Sequence, residues 1–248
     1  MVLFRSISAL LFFATSTLLG QTNLTASEVV TKAHRAALKE ATSADKVKGL
    51  RMEIKLTDAE KKPLGSAILE LIAPQSRRQI NYTPDFYVEN ITASNGLEGW
   101  ISRRELKPGG REENKIITFK EVARMKDMTA GDLSFYKEPT QNTGTVKLLN
   151  ATEIDGKKVY SVEYSFKSGF AIVRHFDAQT FELVASDQTT PEGKVQRQIV
   201  KELCWVDGLS FTKREEIYMD GKKVADAVYE NITINPNVSE SSFAFPVR

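Results

Sequence analysis

The sequence predicts a mainly β protein with a minority of helix, an α+β chain built around an antiparallel meander. Three features carry this. Long stretches alternate apolar and polar residues with the period of two that a half-buried strand requires. Turn dipeptides, Asp155-Gly156, Ser168-Gly169, Glu192-Gly193, Asp207-Gly208 and Asp220-Gly221, recur through the second half at hairpin spacing. Only two segments open with a helix-start signature, and the strand-helix-strand rhythm of a parallel sheet is missing, which disfavours a doubly wound nucleotide-binding fold.

The elements follow in order. Arg5 precedes an almost uncharged run, Ser6 to Leu19, that is too short to span a bilayer and reads as a secretory signal peptide over residues 1–20. Leu18-Leu19-Gly20 looks like the start of a lipidation box, but Gln21 stands where the lipidated cysteine belongs. The exported chain, 21–248, is therefore expected to be a single soluble, unanchored domain. Thr25-Ala26-Ser27-Glu28 is a capping box, with Leu24 and Val29 at the hydrophobic-staple positions. Val30, Ala33, Ala37 and Ala41 continue as one stripe, predicting a helix of about four turns. From Leu50 the period changes to two, with Leu50, Met52, Ile54 and Leu56 on one face and Arg51, Glu53 and Lys55 on the other.

Further strands are expected at Ser66–Ala73, Arg77–Tyr82, Phe86–Ala93 and Gly99–Arg103. The basic cluster Arg103, Arg104, Lys107 and Arg111 around Pro108-Gly109-Gly110 reads as a solvated loop. A second helix opens at the capping box Thr118-Phe119-Lys120-Glu121, with Ile117 and Val122 as its staple and Gly131 as an expected left-handed stop. Its apolar arc carries Phe119, Val122, Ala123, Met125 and Leu133, so these residues are expected to face the sheet. Long strands then run to the end of the chain.

Composition narrows the function. Lys+Arg 34 against Asp+Glu 32 leaves a formal charge of +2, too small a basic excess for a nucleic-acid binder. One cysteine, Cys204, excludes an intrachain disulfide and any multi-cysteine metal site, and two histidines make a metal enzyme improbable. His34 reads as an exposed helix residue, His175 as a solvated or cross-strand partner, and Cys204 as a small buried hydrophobe. G-x-S-x-G, P-loop, G-x-G-x-x-G and H-E-x-x-H motifs are all missing. N-x-[ST] triplets begin at Asn23, Asn90, Asn150, Asn231 and Asn237, but Asn90 and Asn231 fall in predicted strands, where threonine is an ordinary residue.

The order of elements is distinctive. An exported chain with a helix, strand hairpins, the segment Asn95-Gly96-Leu97-Glu98-Gly99-Trp100, a capped middle helix, a long meander and the ending Ser242-Phe243-Ala244-Phe245-Pro246 resembles the LolA/LolB-like family of periplasmic lipoprotein carriers. The resemblance covers essentially all of residues 21–248 and is one of pattern. It implies an incomplete, strongly curved antiparallel β-barrel covered by helices, a LolA-like half-barrel enclosing an apolar cavity for acyl chains. It further implies a monomeric periplasmic carrier or chaperone, with lipid or lipoprotein acyl chains as ligand, inner- and outer-membrane proteins as partners, transfer toward the outer membrane, and no cofactor.

A curled sheet of roughly ten strands leaves an inner face too wide for its own side chains to fill, so a ligand-sized space is expected on physical grounds as well. Met52, Ile54, Leu69, Leu71, Ile80 and Tyr82 are the candidate lining from the first strands. Trp100, the helix residues Val122 and Met125, and the alternating Tyr160, Val162 and Tyr164 complete it. Ordinary core packing is the competing role for each of them. The rival function is a module of the same architecture that docks a partner protein. An enzyme acting through His175 ranks below both.

Overall fold

The computed structural model describes residues 24–39, 44–82, 87–190 and 192–246. The expected signal peptide, Ala41 and Phe86 lie outside the described residues. Among the described residues no helix is long and apolar enough to cross a membrane.

Both capping boxes form. In α1 (Ala26–Ala36) the Thr25 hydroxyl accepts from the Glu28 amide at 3.3 Å while the Thr25 amide donates to the Glu28 carboxylate at 2.7 Å. In α2 (Phe119–Leu133) Thr118 and Glu121 repeat the pair at 3.3 and 2.7 Å. These bonds from the threonine hold each glutamate's carboxyl below the usual carboxylate range.

Two helix ends differ from expectation. α1 is shorter than its apolar stripe, because the backbone leaves the helix to join the sheet: Ser210 N donates to Ala37 O at 2.9 Å and Lys39 N to Gly208 O at 2.7 Å. In α2 Gly131 is not a stop but an interior helical residue, whose carbonyl accepts from Arg174 Nη2 at 3.3 Å. The reversal comes after the Ser134 cap, where Phe135 and Tyr136 take φ of 49° and 68°.

All strands join one antiparallel sheet of 14, more than the roughly ten expected for a small curled sheet. The first half supplies β1 (Gly49–Asp58), β2 (Pro63–Ile72), β3 (Gln75–Tyr82), β4 (Val88–Ser94), β5 (Gly99–Glu105) and β6 (Glu112–Ile116). The second supplies β7 (Gly144–Leu148), β8 (Thr152–Ile154), β9 (Lys157–Phe166), β10 (Ala171–Asp177), β11 (Leu183–Thr189), β12 (Val195–Val206), β13 (Leu209–Met219) and β14 (Lys222–Ile234). The order is β6-β5-β4-β3-β2-β1-β14-β13-β12-β11-β10-β9-β7, with β8 beside β9, so the sheet is not closed. The basic cluster read as a loop is the tip of the β5–β6 hairpin, with Arg104 paired to Glu89 at 2.9 Å. Asp155-Gly156, Asp207-Gly208 and Asp220-Gly221 each place both residues at positive φ, the type I′ geometry that suits two-residue hairpins.

Direct register partners share a face. Leu50 and Leu71 lie opposite one another and bury with Leu209, Phe211 and, from α2, Leu133. Further along the same face Val162, Tyr164 and Phe176 bury with Val29, Val30 and Ala33 of α1. α1 and the C-terminal end of α2 therefore pack on this inner face. The outer face carries ion pairs: Glu70 meets Arg51 and Arg77 at 3.2 Å each, and Lys223 meets Glu216 at 2.8 Å.

Asp187 belongs to this outer set, bonded by Arg197 Nε at 2.7 Å and Nη2 at 2.6 Å. Burial pushes its carboxyl up, and the hydrogen bonds and charge of Arg197, with His175 close by at 3.2 Å, overcome that, leaving it at about 2 against an ordinary 3.8. A depressed acid stabilises the fold above its unfolded pKa and loses that contribution as pH falls through its folded one. Asp187→Asn is expected to lower stability by about 1–2 kcal/mol at neutral pH, allowing for solvent screening, with the gap to the wild type closing between about pH 4 and pH 2. Urea unfolding across that range checks it. Thr118→Ala is expected to cost about 1 kcal/mol by the same measurement, without pH dependence at neutral pH.

Candidate functional site

The candidate lining residues divide by burial and by face. Met52 pairs with Leu69, Ile54 with Ala67, Ala67 with Ile80, and Gly65 with Tyr82, so all five expected positions share the inner face with Leu71. Leu71 is consumed at 1% exposure, whereas Met52, Ile54, Leu69, Ile80 and Tyr82 are only half-buried. Met125 of α2, the helix that runs along β2, β3 and β5, is likewise half-buried. Val162 and Tyr164 are core under α1, and half-buried Tyr160 stacks on Phe181 at 5.8 Å between ring centroids. Met52 and Leu69 pack in part against the Leu50 cluster, whereas Ile54, Ile80 and Tyr82 lie outside the three buried clusters, so a partly exposed apolar stripe remains on β1–β3.

Polar groups lie beside the stripe on the same face. Glu215 of β13 accepts from the Tyr229 hydroxyl at 3.0 Å and from Gln198 Nε2 at 2.8 Å, and burial pushes its carboxyl up. Asp132 of α2 meets Arg174 of β10 at 3.3 Å, and the Arg174 guanidinium lies 5.0 Å from the ring centres of Tyr136 and Tyr164. Burial pushes the Tyr164 hydroxyl up to about 12. Arg78 of β3 lies close enough to act on both Glu215 and Tyr229, and Asp132 acts on Tyr229. Groups from β3, β13, β14 and α2 meet in this way only because the sheet curls. The sequence carried a signal for Arg78, since it has the same parity as Ile80 and Tyr82, but the apolar pattern drew attention away from it.

Trp100 sits elsewhere. Register aligns it with Ala93 and Arg77, the face opposite Met52, and its Nε1 donates to Phe243 O at 3.2 Å. There it borders a pocket of about 570 Å³ between the β5–β6 end, the start of α2 and the C-terminal segment. Val122 is buried in its wall, while Phe119, expected to face the sheet, stands 85% exposed at the rim with Leu97 and Ile116. As the first residue of α2, Phe119 precedes the turn that packs. The roles of Phe243 and Phe245 in this pocket were not visible in the sequence, which gave them only as a tail.

The histidines resolve differently from expectation. His34 is half-buried, its Nδ1 2.7 Å from Phe135 O, so it ties α1 to the segment after α2. His175 is a cross-strand partner, as one reading had it, but it is buried rather than solvated. Its Nδ1 is 2.8 Å from Ser161 Oγ, and its Nε2 sits 3.2 Å from Asp187 Oδ2, too bent for a hydrogen bond. Serine, histidine and aspartate recur here in the composition of a hydrolase triad, with Ser161 and His175 sealed at 2% and 4% exposure. Cys204 is half-buried against the Leu50 cluster, and burial pushes its thiol up.

Neither a family model nor a curated protein matches the sequence. Solved structures do match the fold. A DUF1329 family protein from Desulfovibrio piger superposes with a TM-score of 0.53 at 13% identity, covering 88% of this chain and 97% of its own. A LolA superfamily protein from Nitrosomonas europaea superposes at 0.52 with 12% identity, covering 90% and 98%. The chain therefore has the LolA-like fold that its element order resembles.

Proposed function

We propose that the protein is a non-enzymatic periplasmic carrier or chaperone that shields acyl chains of a lipid or lipoprotein on its inner face, exchanging them with inner- and outer-membrane partners toward the outer membrane. One observation carries this reading: Ile54, Ile80 and Tyr82, bordered by Met52 and Leu69 at the edge of the Leu50 cluster, form a contiguous, partly exposed apolar stripe on the inner face of a curled sheet. Such a patch is the usual mark of a ligand surface, and each buried methylene supplies about 0.8 kcal/mol. Release needs only a competing apolar surface. The sealing of Ser161 and His175 supports a role without catalysis, because a substrate carbonyl has no path to Oγ.

Lipid extraction of protein isolated from the periplasm, followed by mass spectrometry, and titration with a fluorescent fatty-acyl probe test the reading. Ile80→Asn is expected to weaken the probe about tenfold while lowering stability by about 1 kcal/mol or less, since the side chain is only half-buried. Protein that carries no lipid and takes up no probe overturns it. The same titration on Met125→Asp places α2: a larger loss of binding than of melting temperature marks a helix bordering the ligand, and joint loss marks ordinary core.

A second reading, a module that docks a partner protein, is favoured by the Trp100 pocket, where exposed Leu97, Ile116 and Phe119 rim an apolar space. Phe119→Ser is expected to leave acyl-probe binding unchanged. If it instead abolishes a pull-down of a periplasmic partner by a chain that binds no lipid, docking is the function.

A further inference from the structure

Arg77 and Arg78 are adjacent in β3, and strand alternation sends them to opposite faces. Arg77, on the outer face, is paired with Glu70 at 3.2 Å. Arg78, on the inner face, stands in register with Leu69 on one side and Thr92 on the other, two residues from Ile80. It is exposed and makes no hydrogen bond or ion pair among the described residues. Glu215, the acid that feels it from across the face, is already engaged, as is Asp132, which acts on the neighbouring Tyr229. Glu215 accepts from Tyr229 and Gln198 at 3.0 and 2.8 Å, and Asp132 is paired with Arg174 at 3.3 Å. Burial also pushes the Glu215 carboxyl up, which weakens it as a counter-ion for Arg78. A planar cation with a free fork of donors, set within an apolar stripe, matches a carboxylate or a phosphate attached to a hydrocarbon chain.

We propose that the inner face selects acyl ligands with an anionic head group, a fatty-acid carboxylate or a phospholipid phosphate, with Arg78 holding the head while the chain lies along Met52, Ile54, Leu69 and Ile80. This rests on the acyl-binding reading and narrows it, because a neutral acylated group offers the guanidinium no charge to pair with.

The test compares pyrene-labelled palmitic acid, the matching neutral pyrene alcohol and pyrene-labelled phosphatidylglycerol on the wild type, Arg78→Gln and Arg78→Lys. Arg78→Gln is expected to weaken one or both anionic probes by about tenfold or more and the alcohol by less than about twofold, with Arg78→Lys intermediate, since the ammonium keeps the charge but not the fork. The anionic probe that loses more identifies the head group as carboxylate or phosphate. Melting temperatures are expected to match closely, since Arg78 has no hydrogen bond or ion pair among the described residues to lose. Equal weakening of all three probes, or no change in any, overturns the head-group inference while leaving acyl binding intact. A wild type that takes up none of the three overturns the acyl-binding reading as well.

Discussion

The pairing of β1 with β14 at the middle of the sheet is the constraint on which the rest of the molecule depends. Because the first and last strands meet there, hairpins build outward in both directions and the two halves finish at opposite edges, β6 and β7. The chain between those edges carries α2. The strands from β6 to β7, laid flat at about 4.8 Å apart, would span on the order of 55–60 Å. A helix of 15 residues covers only about 22 Å, and turns shorten the residues after it. The sheet therefore has to curl until its edges come within reach of that segment. Leu133 in the Leu50 cluster and Gly131 bonded to Arg174 of β10 show where the crossing runs.

Curling makes the two faces unequal. On the outer face neighbouring strands splay, long charged side chains keep access to water, and the ladders of Arg51, Glu70 and Arg77 or of Asp187 and Arg197 can form without burying an unpaired charge. On the inner face the same strands converge. Polar groups there must find partners within the fold, as Glu215 does with Tyr229 and Gln198. Arg78 instead keeps its guanidinium in solvent, beside the apolar residues that packing leaves half-buried.

Much of the architecture was legible because local chemistry decided it. The capping boxes at Thr25 and Thr118 work within four residues of chain, and the Asp-Gly turns fix φ without reference to the rest of the molecule. Strand parity likewise placed Met52, Ile54, Leu69, Leu71, Ile80 and Tyr82 on one face. What escaped was decided by partners distant in sequence. The end of α1 depends on Ser210 and Gly208, the interior role of Gly131 on Arg174, and the burial of His34 on Phe135. Trp100 shows the same limit: its apolar character was evident, but the register that turns it away from Met52 belongs to β4 and β5 together. Within the candidate site, parity could say which residues share a face but not which of them the core consumes, so Leu71, Val162 and Tyr164 could not be separated from Ile54 and Ile80 in advance.

The two apolar surfaces left open are mechanically connected. α2 is one continuous helix, its Val122 forming part of the wall beside Trp100 and its Leu133 locked into the Leu50 cluster. Between these ends Met125 stays half-buried, and the carbonyl of Gly131 and the carboxylate of Asp132 both engage Arg174. Lifting the helix away from β2 and β3 would break the Arg174 contacts and expose Val122, Thr129 and Leu133 together, so the helix is held along its length and moves only as one rod. What can yield without moving the rod is the half-buried Met125 side chain, an unbranched thioether with several rotamers. An apolar ligand on the inner face would thus meet its least resistance at that side chain, which keeps the fold intact while the site is occupied or emptied.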